Sequence, residues 1–452
     1  VEWLAGNRIR GTSAEKPVTS LQSPSVGGWV ELGRTTLGSS GDDIDISSLA
    51  DKRYYMVLCS DLPTGNTQWY PRLGNGSFDT SNNYATRESY NGATDGVNPN
   101  QPSIRWNTSI TASYTNPKFG VGYISNLATK EKLTMFHGVA QQSAGAGTSP
   151  YRAEVVSKWT NTSNVMDMFR LHNIESGSFN TGSEVVVLGW DPADTHTTNF
   201  WEELASVTTT GAGTSISSGT FTAKKYLWVQ IYAPSGQSAI VDNFWVRFNG
   251  DSGSNYARRY SNNGGTDGTD TAVPNFDVSR SGTEGDFVNA FIVNNSANEK
   301  LITANSISVG NSLGAGSAPL RTEVVGKWVN TSSQITSIVV NTGMTSKKTY
   351  QSMTYTLNSG NIYPVMRFNS DSTSQYAWRR YRSSSGSQET AINQGDIKMM
   401  TDNLDSDSIF VSYICNINNE EKLLIGHSVS RNAIGAGSAP ERSQIVGKWI
   451  DN

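Results

Sequence analysis

Short apolar or alternating runs, separated by clusters of Gly, Ser, Thr, Asn and Asp, recur along this chain, and helical periodicity is nearly absent. Tyr54-Tyr-Met-Val-Leu58, Phe119 to Ile124, Tyr226 to Tyr232, Phe287 to Val293 and Ile409 to Ile414 read as strands. Val165-Met-Asp-Met-Phe-Arg-Leu171 alternates, as a half-buried strand does. The polar clusters between the runs are hairpin chemistry, because Gly admits positive φ and Asn and Asp side chains bond their own backbone. Eight to ten short strands in each ~110–165 residues predict β-sandwiches, with a jelly roll as the expected topology.

The runs repeat. Gly145-Ala-Gly-Thr-Ser-Pro-Tyr-Arg-Ala-Glu-Val-Val-Ser-Lys-Trp159 returns as Gly314-Ala-Gly-Ser-Ala-Pro-Leu-Arg-Thr-Glu-Val-Val-Gly-Lys-Trp328. It returns again as Gly435-Ala-Gly-Ser-Ala-Pro-Glu-Arg-Ser-Gln-Ile-Val-Gly-Lys-Trp449. Its arginines, Arg152, Arg321 and Arg442, are 169 and then 121 residues apart, too far for a solenoid repeat and fitting duplication of a domain. The segment reads as a tight turn followed by a strand. Residues two apart in a strand share a face, so Arg152 can pair with Glu154 and Arg321 with Glu323. Gln444 in the third copy argues against an obligatory catalytic carboxylate. Each copy also carries an Asp five residues before a Tyr-Ala-x-Arg strand (Asp79, Tyr84, Arg87; Asp251, Tyr256, Arg259; Asp371, Tyr376, Arg379) and a Glu-Lys-Leu at Glu131, Glu299 and Glu421.

These landmarks divide the chain into an N-terminal extended arm, 1–28, and three tandem jelly-roll-like β-sandwich domains, 29–192, 200–342 and 343–452. Domains one and two open on Trp29-Val-Glu-Leu and Trp201-Glu-Glu-Leu; the third has no such strand, and Ile335–Val340 is a candidate substitute. It also stops at Asn452, without the two strands that follow Trp159 in the first copy. An open sandwich leaves a sheet edge unpaired. The arm, with an apolar strand-like segment from Val1 through Trp3 and Leu4 to Ile9, is a candidate to add to a neighbouring subunit's third domain and build rings or filaments; the alternative is a smaller third sandwich sealed by its own chain, with the arm lying on the first domain.

At 452 residues the length suits several domains. The net charge of −4, with no basic excess, gives no phosphate-binding surface, so nucleic acid is not an expected partner. No apolar run approaches the ~18 residues of a membrane span. The 12 Trp, 18 Tyr and 14 Phe supply core material that a disordered chain lacks. Cys59 and Cys415 lie in different copies and read as buried thiols. Val1 at the start reads as a processing or trimming point.

The pattern Trp159-x-Asn-Thr-Ser followed by Ser-Gly-Ser-Phe179-x-x-Gly-Ser-Glu-Val-Val-Val-Leu-Gly189 resembles the end of jelly-roll modules in structural proteins of tailed viruses. The Arg-Phe-Asn-x-Asp-Ser…Tyr-Ala-x-Arg and Gly-Ala-Gly-Ser-Ala-Pro-x-Arg segments resemble repeats of marine tailed-virus proteins, over roughly residues 29–452. The resemblance implies a structural or receptor-facing module on a particle surface and no catalytic residue.

The candidate chemistry is thin. His137 and His427 occupy equivalent positions, near which the second copy has Asn305 or Ser306; a strand histidine bonded to backbone is the expected role. There is no Gly-x-Ser-x-Gly elbow in an α/β context. Trp190-Asp-Pro-Ala-Asp-Thr-His196 reads as a linker turn rather than a metal site. Asp251-Ser-Gly-Ser-Asn and Asn263 through Asp270 hold oxygen ligands of the type calcium takes, without an EF-hand's spacing; a metal-free loop is expected, and calcium is the one candidate cofactor. Trp159, Trp328 and Trp449 are expected in the core rather than as a sugar platform, because they repeat with the fold. Glycan contacts are sought instead at Trp69, Tyr70, Trp106 and Tyr114, on loops that differ between copies. The expectation is a non-enzymatic virion structural protein of capsid or tail, at the virion surface or extracellular, partnered by its own copies, other virion proteins and host surface glycans. A cellular extracellular filament or surface-layer protein and a carbohydrate-binding adhesin module are the alternatives.

Overall fold

In a computed structural model the chain is all-β. The described residues are 28–106, 115–191, 194, 199–207, 215–233, 244–279, 285–309, 313–341, 349–356, 364–383, 386–399, 407–417 and 420–450, with backbone only at 3–5 and 7–9. The first nine residues hold β1 (Trp3–Ala5) and β2 (Asn7–Ile9). The first copy holds β3 (Val30–Thr36), β4 (Asp43–Ile46), β5 (Tyr54–Asp61), β6 (Arg72–Gly74), β7 (Tyr84–Tyr90), β8 (Gly96–Gln101), β9 (Lys118–Ser125), β10 (Lys132–Ala140), β11 (Tyr151–Trp159), β12 (Met168–His172) and β13 (Glu184–Trp190). The second holds β14 (Ile216–Ser217), β15 (Tyr226–Ala233), β16 (Phe244–Phe248), β17 (Tyr256–Asn262), β18 (Gly268–Val273), β19 (Phe276–Ser279), β20 (Asp286–Val293), β21 (Lys300–Ser308), β22 (Leu320–Trp328) and β23 (Ile338–Val340). The third holds β24 (Thr349–Thr356), β25 (Val365–Met366), β26 (Tyr376–Arg382), β27 (Ser387–Gln394), β28 (Ile397–Lys398), β29 (Ser408–Cys415), β30 (Lys422–Ser430) and β31 (Glu441–Trp449).

Each copy has one large antiparallel sheet with the same order: β5-β9-β10-β11-β7-β8, β15-β20-β21-β22-β17-β18 and β24-β29-β30-β31-β26-β27. The registers match as well, since Lys132, Lys300 and Lys422 lie opposite Trp159, Trp328 and Trp449. A smaller sheet accompanies each: β4-β12-β6, β14-β23-β16-β19 and β25-β28. Among the described residues only the first copy extends its large sheet, by β13 and then β3 beyond β5.

The strands at the centre of the large sheets are apolar on both faces because both faces are covered. In β5, Tyr55, Val57 and Cys59 face the first copy's own outer core, whereas Tyr54, Met56 and Leu58 enter a second cluster. That cluster is shared by all three copies, joining Phe119, Val121 and Tyr123 to Phe287, Phe291 and Val293 and to Ile409, Val411 and Tyr413. Trp29 Nε1 of the first copy donates to Gln351 Oε1 of the third at 2.9 Å, and the hydroxyls of Tyr123 and Tyr413 meet at 2.5 Å. Copies consecutive in sequence are thus wrapped in space around one apolar centre.

The repeated Asp, Tyr and Trp form one structural device in each copy. Trp159, Trp328 and Trp449 are buried and donate Nε1–H to Asp79, Asp251 and Asp371 at 2.7–2.8 Å. The hydroxyls of Tyr84, Tyr256 and Tyr376 donate to the same aspartates' carbonyls and accept from the backbone N–H of Leu73, Phe248 and Phe368. Burial alone would raise the Asp79 carboxyl, but bonds from Trp159, Asn83 and Ser81 hold it below its ordinary range.

Three expectations are corrected. Val1–Ile9 is not one strand: β1 and β2 pair as a hairpin, and β1 lies beside β24 of the same chain. Trp201-Glu-Glu-Leu forms no strand, and among the described residues the second copy has no counterpart of β13, the partner that β3 uses. Residues 338–340 do not serve the third copy; β23 sits between β14 and β16 in the second. Gly326 in β22 leaves room for the Phe276 ring, which a Cβ would approach to 1.9 Å. Gly326→Val is expected to destabilise by about 1–3 kcal/mol through overpacking, read from urea unfolding.

Candidate functional site at the joints between the copies

The Gly-Ala-Gly turn of each copy docks on the next copy, and the order closes on itself. The N–H groups of Gly145, Gly314 and Gly435 donate to the carboxylates of Glu299, Glu421 and Glu131, at 2.6, 2.5 and 2.7 Å. The prolines that end these turns, Pro150, Pro319 and Pro440, accept from Arg259, Arg379 and Arg87 Nε, each at 2.8 Å. Between each proline and glycine, the carbonyls of Ala146, Ala315 and Ala436 accept from the N–H of Ala272, Asn393 and Asn100, again at 2.8 Å. Those three donors lie at positive φ, 51–52°, where a residue with a Cβ is strained. The joint repays that strain by turning the N–H toward the neighbouring copy.

The lysine of each Lys-Trp pair completes the clasp. Lys327 Nζ donates to Ser143 O at 2.5 Å, Lys448 to Val309 O at 3.1 Å, and Lys158 to the carbonyls of Arg431 and Ala433. Burial lowers the Lys158 and Lys327 ammonium groups, and Glu131 and Glu299 oppose that shift. First copy to second, second to third, third to first: the chain forms an internal ring with pseudo-threefold symmetry.

At the centre of the ring lie the repeat arginines, all buried. Arg152 Nη1 binds Glu154 of its own strand, and Nη2 reaches Asp267 of the second copy at 2.6 Å. Arg442 contacts Glu154 at 2.5 Å and Asp95 of the first copy at 2.7 Å. Arg321 pairs with Glu323 at 2.7 Å and donates to the Gln444 carbonyl at 2.8 Å. Glu154 is held well below the carboxylate range by Arg152 and Arg442, which outweigh its burial, whereas burial prevails at Glu323 and raises it.

His137 and His427 meet beside this cluster, ring centroids 4.4 Å apart, and Asn305 holds the corresponding place opposite Glu323. The expected bond from histidine to backbone is not made by His427, neither of whose ring nitrogens has a hydrogen-bond partner. Burial pushes His137 down to about 4, with Glu154 opposing. Burial and the His137 ring push His427 well down. Two imidazoles held neutral among three guanidinium groups make no triad among the described residues, where no hydroxyl or thiol nucleophile is hydrogen-bonded to either.

The glycan expectation is overturned for three residues. Trp69 and Trp106 are fully buried and Tyr70 is 9% exposed; Trp106 stacks on Phe136 at 4.8 Å, and Trp69 meets the same ring edge-on at 5.7 Å. Gly122 makes the space, since a Cβ there would lie 2.5 Å from Trp106. A glycine inside a strand is the sequence signal for such close approach. Tyr114 and His196 lie outside the described residues. Of the calcium candidates, Asp251 binds Asn255, Gly253 N–H and Trp328, and Asp267 and Asp270 pair with Arg152 and Arg258. Their oxygens are committed within the protein, and the described residues hold no group of three metal-ligating side chains. Asp191 and Asp194 of the linker bind Arg53 N–H and Lys52. Cys59 and Cys415 are buried free thiols. No described helix is long and apolar enough to cross a membrane.

No family model matches this chain, and no curated protein matches it. Among solved structures it is similar to the LG1–3 region of the laminin alpha2 chain, at 7% identity and TM-score 0.17 over 92% of this chain and 93% of that one. Domains LG4–5 of the mouse laminin alpha1 chain follow at 10% identity and TM-score 0.17, over 70% and 84%. An acyl-CoA hydrolase from Agrobacterium tumefaciens matches at 7% identity and TM-score 0.12, over 50% and 96%. Scores this low carry neither fold nor function across.

Two outcomes are expected. Arg442→Ala strands Asp95 and part of Glu154 and should destabilise by about 3–5 kcal/mol in urea unfolding. Arg321→Ala should likewise lower the melting temperature; unchanged melts would overturn the structural role of this cluster. The second concerns pH. The unfolded chain protonates His137 near 6.5 and the folded protein near 4, so stability is intact above that window and falls as pH drops through it. Between about pH 7 and about pH 5 this group alone should remove about 2 kcal/mol. His137→Asn should remove about that share of the acid loss and leave the share due to His427, as measured by unfolding at both values.

Proposed function

We propose that the chain is a surface-displayed structural protein of a tailed-virus particle, built of three jelly-roll-type sandwiches and serving in capsid or tail without catalysis. The observation that carries this reading is the use of the repeated residues. Glycine N–H groups, Pro carbonyls, Arg, Glu and Lys that recur in every copy are bound to one another at buried joints, so the conserved pattern of the repeat holds an architecture together. The sequence resemblance to repeat modules of tailed-virus structural proteins supports the same reading. A single chain with three similar faces around an axis also suits a threefold position on a particle, which one copy can contact three times.

Gold-labelled antibody against the chain should decorate intact virions, and label confined to cell-surface filaments or envelope would overturn the reading in favour of a cellular surface protein. Purified protein should show no hydrolysis of glycans, esters or peptides above background. A specific activity abolished by His137→Ala or His427→Ala would overturn the non-catalytic assignment.

A further inference from the structure

At the pseudo-threefold axis the copies differ in chemistry. Six strands meet there, β10, β11, β21, β22, β30 and β31, and all their residues are described. In cross-strand register His137 faces Glu154, Asn305 faces Glu323 and His427 faces Gln444. The other charged groups acting on the two imidazoles are the guanidinium groups of Arg152, Arg321 and Arg442. The histidines belong to the first and third copies and touch each other, ring centroids 4.4 Å apart. No such pair spans the other two joints at the axis, because the second copy contributes Asn305. His427 is buried with neither ring nitrogen hydrogen-bonded, while His137 keeps partial exposure, which leaves protons a way in. The nearby carboxylates are already taken: Glu154 pairs with Arg152 and Arg442, and Glu323 with Arg321.

We propose that the joint between the third copy and the first is an acid-sensitive latch, which loosens when His137 and His427 take up protons while the joint between the first and second copies holds. Two imidazolium rings in contact repel each other across the joint, and each also opposes a guanidinium of another copy, His137 that of Arg442 and His427 that of Arg321. The first-to-second joint has no imidazole pair to charge. An opening that frees the rings restores their ordinary affinity for protons, so acid favours the open form. His137 takes its proton near 6.5 when freed and near 4 in place, so going from pH 7 to pH 5 raises the opening equilibrium about 25-fold, and His427 adds to that. The faces that part include Tyr123 and Tyr413, whose hydroxyls meet across the same joint. Such an opening is local, and amide exchange reads it below the free energy of full unfolding.

Equivalent amides at each joint make the protein its own control. At the third-to-first joint Gly435 N–H donates to Glu131 and Asn100 N–H to the Ala436 carbonyl; at the first-to-second joint Gly145 N–H donates to Glu299 and Ala272 N–H to the Ala146 carbonyl. Exchange of the full chain is followed residue by residue at pH 7 and pH 5, as protection factors, so that the intrinsic pH dependence of exchange drops out. Gly435 and Asn100 should lose at least tenfold in protection, and Gly145 and Ala272 less than threefold. His137→Asn together with His427→Asn, which gives both copies the residue the second already has, should abolish the loss at Gly435 and Asn100. Asn305→His should carry the loss to Gly145 and Ala272 as well. Equal loss at both joints of the wild-type chain would mean that acid acts on the whole fold and would overturn the proposal. No loss at either joint, or a loss that persists in the double variant, would overturn it too.

Discussion

Each large sheet in this protein is apolar on two faces, and its small companion sheet covers one. The remaining face must be removed from water, and each copy does so against the other two. At roughly 25 cal/mol per Å² of apolar surface, a sheet face left in solvent would weigh heavily against a net stability of about 5–15 kcal/mol. Association of the three copies is therefore a condition of their folding, and the single chain places them at a high effective concentration for one another.

Apolar burial has no direction, so the joints supply the register. Backbone N–H groups at Gly145, Gly314 and Gly435 can reach Glu299, Glu421 and Glu131 only if the copies follow one another in a single rotational sense. The buried arginines act in the same way. Ion pairs taken out of water return little net stability, but a mispaired one is expensive, which penalises alternative packings. The copies are nevertheless unequal at the axis. Arg152 and Arg442 each reach an aspartate of a neighbouring copy, whereas Arg321 has its own Glu323 and a carbonyl. His137, Asn305 and His427 break the symmetry further and leave the centre sensitive to acid.

Departure from symmetry is largest at the outer edges. The first copy's large sheet gains two further strands because its chain continues through β12 to β13, which pairs with β5 and β3. The segment that equals β3 is present in the second copy and holds its tryptophan in place, but among the described residues no strand pairs with it and 201–207 is irregular.

Strand content, the three copies and the structural use of Trp159, Trp328 and Trp449 were legible from the chain because apolar runs, turn residues and repetition are local signals. The Arg152–Glu154 contact was legible for the same reason, since alternation along a strand puts residues two apart on one face. What tertiary structure alone decided were the partners between copies. Asp95 and Asp267 look like turn residues until the ring brings Arg442 and Arg152 to them. Trp69 and Trp106 look like loop aromatics until the outer face of β9 and β10 receives them. The Trp201 segment has the composition of a strand, but a strand exists only with a hydrogen-bonding neighbour, and whether one is present is decided by where distant parts of the chain go.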